Sequence, residues 1–429
     1  MSFPVKFFHS SMQGAPQITN DWGVVTGLLD ACLVTGFNTR SVSALSCSSG
    51  VATATVASGH LYEVGQILVV SGADQPEFNG EVKVLGVTST TFSFAVSGSP
   101  VSPATGSVSV KVAPLGWELA FSGTNKRAYR SKSVLSHRPF LRVDDGLDPV
   151  WTTTWAKFAK VTMAESMSDI DTFVGARAPF DPVMPNKNEL GSGSGNGAYN
   201  GWFKWMFACQ DSGSGYIYNS YQMAPDVGAR NWVLVGDDRG FYFLPQMDVE
   251  STSGRAVYAF TDFDSFRVSD IYDAILVAKD EYWPAYFSSP TKYNQDTSCH
   301  FGLALNFEGK VLMRDHTLVG YPVRAAFTTL NTNNGQLRSG FSTGIPWPNP
   351  SDYGLLLHPS YIVQEGSNMG LRGKMPGVFW VLNHQPLSHL AKVSGVAGLP
   401  GREFLMTMSA MDEYGNSTVL AFDVTGPWR

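Results

Sequence analysis

Five short runs rich in Val, Thr, Ser and Ala, spaced almost evenly and separated by turn residues, constrain the fold more than any other feature of this chain. They are Val51 to Ala57, Gln66 to Val70, Glu81 to Val87, Thr91 to Val96 and Ser107 to Val112. Gly59-His60, Gly72-Ala73, Asn79-Gly80 and Ser97-Gly98 punctuate them. β-Branched side chains suit a pleated, half-buried surface, and Gly and Asn adopt the left-handed conformations of tight turns. The spacing predicts a small all-β sandwich or barrel over residues 41–112. Asn79-Gly80 is its strongest hairpin signal.

The segments on either side read as one unit interrupted by this module. Asn20 or Asp21 offers an N-cap oxygen, and Trp22, Val25, Leu28, Leu29, Cys32 and Leu33 follow at helical spacing until Gly36. Beyond the module, Trp117, Leu119 and Phe121 alternate with Glu118, Ala120 and Ser122, the period of a half-buried strand. Gly123 to Asn125 is turn chemistry, and Tyr129, Ser131, Leu141 and Val143 continue the pattern to Asp144-Asp145-Gly146. Residues 1–40 and 113–150 are therefore expected to form an N-terminal α+β domain that carries the insert.

Two further domains are expected, a central aromatic β-rich one over 151–297 and a C-terminal β one over 298–429. Trp151 to Lys160 suits strand or helix, and Met163 to Thr172 suits a short helix. Trp232 to Val235 and Phe241 to Leu244 flank Gly236-Asp-Asp-Arg-Gly240 as a hairpin. Val257 to Phe260 and Ser265 to Val268 form a second expected pair. Phe301 to Phe307 with Lys310 to Arg314, and Phe404 to Ser409 with Thr418 to Val424, form two more. The expected fold is thus mainly β with a few short helices, multi-domain, with a β-sandwich or barrel inserted near the N-terminus.

Composition narrows the function. Charged residues are 15% against a usual ~25%, while aromatic residues reach 13%. Such a surface suits burial in an assembly. The net charge of -6 argues against nucleic acid, whose partners are basic. Lys126, Arg127, Arg130 and Lys132 are the nearest approach to a basic cluster and read as a solvated hairpin end. Cys32, Cys47, Cys209 and Cys299 lack metal or redox spacing and read as free buried thiols of a reducing cytosol. The opening residues lack a signal-peptide core, and no apolar run reaches bilayer length, so no membrane insertion is expected.

Few motifs carry chemistry. Gly193, Gly195 and Ala198 have glycine-rich phosphate-loop spacing but follow a polar loop, which favours a plain surface loop. Asp144, Asp145 and Asp148, and Asp262 with Asp264, are acidic groups that can hold Ca²⁺ or act as a glycosidase pair; capping of turns is the simpler reading. Trp202, Trp205, Tyr216, Tyr218 and Tyr221 can form a platform for a glycan or protein partner, with core packing as the simpler reading. No residue is assigned to catalysis, a cofactor or a metal.

A resemblance adds to this. Val51-Ala-Thr-Ala-Thr-Val-Ala-Ser-Gly-His60, Val69-Val-Ser-Gly-Ala73, Pro76-Glu-Phe-Asn-Gly80 and Val96-Ser-Gly-Ser-Pro-Val-Ser-Pro-Ala-Thr-Gly106 resemble a β module that recurs in structural proteins of tailed bacteriophages. Gly116-Trp-Glu-Leu-Ala-Phe-Ser-Gly-Thr-Asn125 with Leu141-Arg-Val-Asp-Asp145 is similar to the opening of a group of phage tail proteins. So are Gly370-Leu-Arg-Gly-Lys-Met-Pro-Gly377, Val396-Ala-Gly-Leu-Pro-Gly-Arg402 and Thr425-Gly-Pro-Trp428. The resemblance implies a non-enzymatic virion protein of the baseplate or tail tip, assembled in the host cytoplasm. Its implied partners are copies of itself around the tail axis and other tail proteins, with host surface glycan as an alternative ligand and a tail-borne glycan hydrolase as a second alternative.

Overall fold

The structure is a computed structural model that describes residues 3–194, 201–209, 223–249, 256–280, 309–319, 322–328, 354–365, 370–381, 387–410 and 417–429. Among the described residues the chain is mainly β, in three antiparallel sheets. The expected pairing of Phe301 to Phe307 lies outside the described residues.

The first sheet is the insert. Its seven strands run in the order Phe37–Ser41, Gly106–Val112, Ile67–Ala73, Gly80–Val87, Thr91–Ala95, Val51–Thr55 and Ala44–Ser48, and they pair only with one another. Phe37 pairs with Val112, so the chain enters and leaves the module side by side. That is the geometry an insertion needs, because the host elements need not part. The Asn79-Gly80 turn is absent. A 3₁₀ turn over Pro76–Phe78 buries Phe78 completely. Asn79 instead binds the backbone of Ala73 through both amide atoms, at 2.7 and 3.1 Å. Burial of one Phe side chain is worth ~1.5–3 kcal/mol, which outweighs a turn preference.

The predicted helix forms over Val24–Leu29 and continues with wider turns over Asp30–Thr35. Gly36 ends it at φ 74°, where a Cβ atom would lie 2.3 Å from the Val112 carbonyl oxygen. The helix starts at Gly23, with no side-chain cap from Asn20 or Asp21.

The second sheet runs Lys279–Asp280, Phe203–Ala208, Lys157–Asp169, Phe140–Asp144, Lys126–Arg130 and Glu118–Gly123, with Thr172–Ala178 also on Lys157–Asp169. Met163 to Thr172, expected as a short helix, is instead mostly the second half of the 13-residue strand Lys157–Asp169. Its residues Leu141 to Met163 and Val143 to Val161 pair across the ladder. Glu118–Gly123 is an edge strand, and Leu119 is 37% exposed rather than inward. The register shift at Ala128 and Tyr129 opposite it breaks the simple alternation.

The third sheet begins at Lys6–His9, passes through Trp232–Gly236, Gly240–Pro245, Tyr258–Asp262, Ala274–Val277, Lys310–Leu312, Val323–Thr328, Leu357–Gln364 and Gly370–Val381, and ends with Ser417–Asp423, Glu403–Ala410 and Lys392–Ser394. The hairpin across Gly236 to Gly240 and the final hairpin are present. The expected Val257–Val268 pairing is not: Tyr258–Asp262 lies between Gly240–Pro245 and Ala274–Val277, and Asp264–Ser265 crosses to Lys374 and Gly373. Ladders also cross residues 150 and 297, because Asp144 pairs with Lys160 and Ile275 with Leu312. Sheets, not consecutive segments, organise the body.

Aromatic packing joins the second and third sheets. Trp205 lies 6.0 Å from Phe241, 5.8 Å from Phe243 and 5.9 Å from Tyr258. Trp117 meets Phe241 and Phe260 edge-on at 5.5 and 5.8 Å. Tyr242, on the opposite face, meets Phe422 at 5.1 Å and Trp428 at 5.7 Å. Both faces of Gly240–Pro245 are therefore covered, which explains its unbroken apolar run Phe-Tyr-Phe-Leu. The insert docks on the body through Lys6 to Glu81 at 2.5 Å, His9 to Glu63 at 3.1 Å and Lys392 to the Val64 carbonyl at 2.7 Å.

Candidate functional site

The acidic residues of Asp144 to Asp148 are structural. Asp145 is fully buried and caps the helix from 120 residues away. Its carboxylate accepts the Val25 and Thr26 N–H groups at 2.8 and 3.1 Å and the Thr26 hydroxyl at 3.0 Å. Burial pushes its pKa up to about 6, while the Thr26 and Val25 donors pull it down. The folded-state pKa is above the unfolded value of ~3.9, so this contribution is fully present below that pH and declines as pH rises through the folded value. Asp145→Ala is expected to cost about 2 kcal/mol at pH 7, from the lost cap and two stranded N–H groups. Denaturant melts should show the gap to the parent chain widening on acidification towards pH 4.5; a constant gap would remove the titrating role.

Asp148 accepts Lys160 Nζ at 2.9 Å, and Asp144 lies 3.7 Å from the same ammonium and 3.4 Å from Arg142. Arg239 holds Asp262 at 3.1 Å. These three carboxylates are buried behind their partners, whereas Asp264, 3.4 Å from Lys374, is only half-buried. Three of the four cations in the basic cluster are paired, Lys126 with Asp171, Arg127 with Asp30 and Arg130 with Glu118, each at 2.9 Å, and Lys132 is exposed.

Of the five aromatic residues of the possible platform, two, Trp202 and Trp205, lie among the described residues. Trp202 and Trp205 are buried, 4% and 0% exposed, and Trp205 donates its indole N–H to the Val277 carbonyl at 2.9 Å. Their rings pack inside the body because strand Phe203–Ala208 is covered on both faces. Tyr216, Tyr218 and Tyr221 lie outside the described residues, as do Gly195 and Ala198. Of the cysteines, Cys32 and Cys209 are buried, but Cys47 is only partly buried. Cys299 is outside the described residues. Among the described residues no three His, Cys, Asp or Glu side chains gather as a metal site, and no helix is long and apolar enough to cross a membrane.

The site with the most developed chemistry is an open cavity of about 760 Å³ on the third sheet, walled by Phe266, Arg267, His316, Thr317, Gln364, Gly370, Leu371 and Arg372. Phe266 and Arg267 leave the short strand Asp264–Ser265, and the Phe266 N–H donates to the Arg372 carbonyl at 2.8 Å. Gln364 ends one long strand and Gly370 to Arg372 begins the next. His316 and Thr317 sit in a turn whose Thr317 N–H donates to the Asp315 carboxylate at 2.9 Å.

Beneath the cavity lies a buried ion pair. Arg372 Nη2 donates to Asp270 at 2.8 Å, and both are nearly inaccessible. Burial opposes ionisation of Asp270, but hydrogen bonds from Arg372, the Tyr272 N–H and Ser265 outweigh it and hold the carboxyl below its ordinary range. The pair sets everything above it. Arg372 Nη1 donates to Gln364 Oε1 at 3.0 Å, and the His316 backbone N–H donates to the same oxygen at 2.9 Å. Neither donor can accept, so that atom is the amide oxygen and the amide nitrogen faces His316 Nδ1 at 3.2 Å. Nδ1 then accepts, and Nε2 of the neutral ring carries the proton. The chain of contacts thus leaves His316 as a hydrogen-bond donor on the cavity wall.

None of these wall residues stands out in the sequence. The usable signal is Arg372, a cation inside the strand Gly370–Val381, where a buried charge must find a partner. Compared with known proteins, the chain matches no family profile and no curated protein.

Proposed function

We propose that this chain is a structural subunit of a bacteriophage tail, built into the baseplate or tail tip. It contacts copies of itself around the tail axis and neighbouring tail proteins. The observation that carries this reading is a mainly β body that, among the described residues, has open sheet edges and carries large apolar side chains facing water. Among the described residues, Ala44–Ser48 and Glu118–Gly123 each end a sheet with one neighbouring strand. Val64 and Leu85 on the insert are each 51% exposed, and Val134 and Leu135, in the loop between Lys126–Arg130 and Phe140–Asp144, are 93% and 72% exposed. Open edges and exposed apolar groups are liabilities for a lone molecule and assets for a subunit in a closed ring. The resemblance of the insert, the opening sheet and the C-terminal segments to phage tail proteins supports the same reading.

The test is immunogold electron microscopy of intact phage particles with antibody to this chain. Label confined to the tail end away from the head is expected. Label on the head alone, or no label on particles, would overturn the placement.

A further inference from the structure

We infer that the cavity above the Arg372–Asp270 pair binds a saccharide that carries a carboxylate. This does not depend on where the chain sits in a virion. The cavity has the size of small-ligand sites, which span ~300–1,000 Å³. Its wall carries two donor groups, the His316 ring and the Arg267 guanidinium, beside the Thr317 hydroxyl, which gives its own proton to Asp315 and so accepts. The His316 ring presents Nε2–H, for the reasons given above. Arg267 is exposed, and among the described residues its one hydrogen bond is from its backbone N–H to Ser265 Oγ at 3.1 Å. Two donors with one acceptor beside them suit a hydroxylated ligand, and the guanidinium selects a carboxylate on it.

The apolar part of the wall fits a sugar ring. Phe266 leans on Tyr361, centroids 6.2 Å apart, and still has 54% of its surface in water. Leu371 beside it is 58% exposed. A pyranose packs its C–H face on such a ring while its hydroxyls reach the polar wall. The floor of Gln364 and Arg372 is polar, which suits a hydroxylated ligand better than the apolar side chain of a peptide. The Arg372–Asp270 pair neutralises itself, so Arg267 supplies the charge that recognises the anion.

The experiment titrates the full chain with trigalacturonate, its methyl ester and an acidic tripeptide, each followed by isothermal calorimetry. Saturable binding of trigalacturonate is expected, with the ester weaker by about ten-fold, the worth of one charge-assisted hydrogen bond. Arg267→Gln, on an exposed side chain, should erase the difference between acid and ester while leaving the melting temperature unchanged. His316→Ala should weaken both sugars. No saturation with trigalacturonate, equal binding of acid and ester, or unchanged acid preference in Arg267→Gln would overturn the inference. Tighter binding of the tripeptide would show that the ligand class is wrong.

Discussion

Lys160→Met is expected to destabilise the folded chain by about 3–5 kcal/mol at pH 7, the loss typical of breaking a buried ionic cluster from one side. Lys160 lies opposite Asp144 in the ladder between Phe140–Asp144 and Lys157–Asp169. Its ammonium donates to Asp148 at 2.9 Å and to the Glu189 carbonyl at 2.9 Å. Methionine keeps most of the volume but leaves Asp144 and Asp148 facing each other without their shared cation. A urea midpoint should fall with an unchanged slope. Adding Asp148→Asn to the Met variant should recover part of the loss, since it removes one stranded charge. A loss under about 1 kcal/mol would mean that water screens the cluster as it screens surface pairs.

Arg429→Met is expected to cost a similar ~3–5 kcal/mol at pH 7, and its signature is the pH dependence. The Arg429 guanidinium donates to Asp237 at 2.6 Å, to Thr261 Oγ1 at 2.7 Å and to the Asp262 carbonyl at 2.6 Å. It secures the end of the Gly236–Gly240 hairpin. Burial raises the pKa of Asp237, and Arg429 opposes that rise. For a group raised in the folded state, stability is fully present below the unfolded pKa and falls as pH climbs through the folded one. Without Arg429 the folded value moves higher still. The variant's deficit should therefore be largest at neutral pH and shrink as acid protonates Asp237. Equal deficits at pH 7.5 and pH 5 would show that Arg429 acts by packing alone. Its neighbour Trp428 contributes packing of that kind: a Cβ on Gly377 would lie 2.2 Å from the Trp428 ring.

Much of the fold was legible. The β-branched runs of the insert become strands within a residue or two, except that Phe37–Ser41 and Ala44–Ser48, short and rich in polar residues, carry no clear alternation. The hairpins at Gly236 to Gly240 and at the C-terminal end follow from turn residues between apolar runs. The misreadings share a cause. Met163 to Thr172 has helix-like spacing, yet it is held as strand by partners at Leu141 and Phe140 that are more than 20 residues away in sequence. Asp21 is a sound local cap, yet Asp145 takes the helix end. The cavity was invisible because its walls come from four separate segments and none has a motif of its own.

What the residues determined unaided is the class of structure: alternating and β-branched runs with Gly and Asn breaks can bury their apolar faces only as sheets. That is a local property, set by side-chain period and turn conformation. Which strands neighbour one another, which carboxylate meets which cation, and which ring is left in water were settled only in three dimensions. These depend on closing long loops and on partners hundreds of residues apart, such as Arg429 with Asp237, where burial makes each unpaired charge too costly to leave alone.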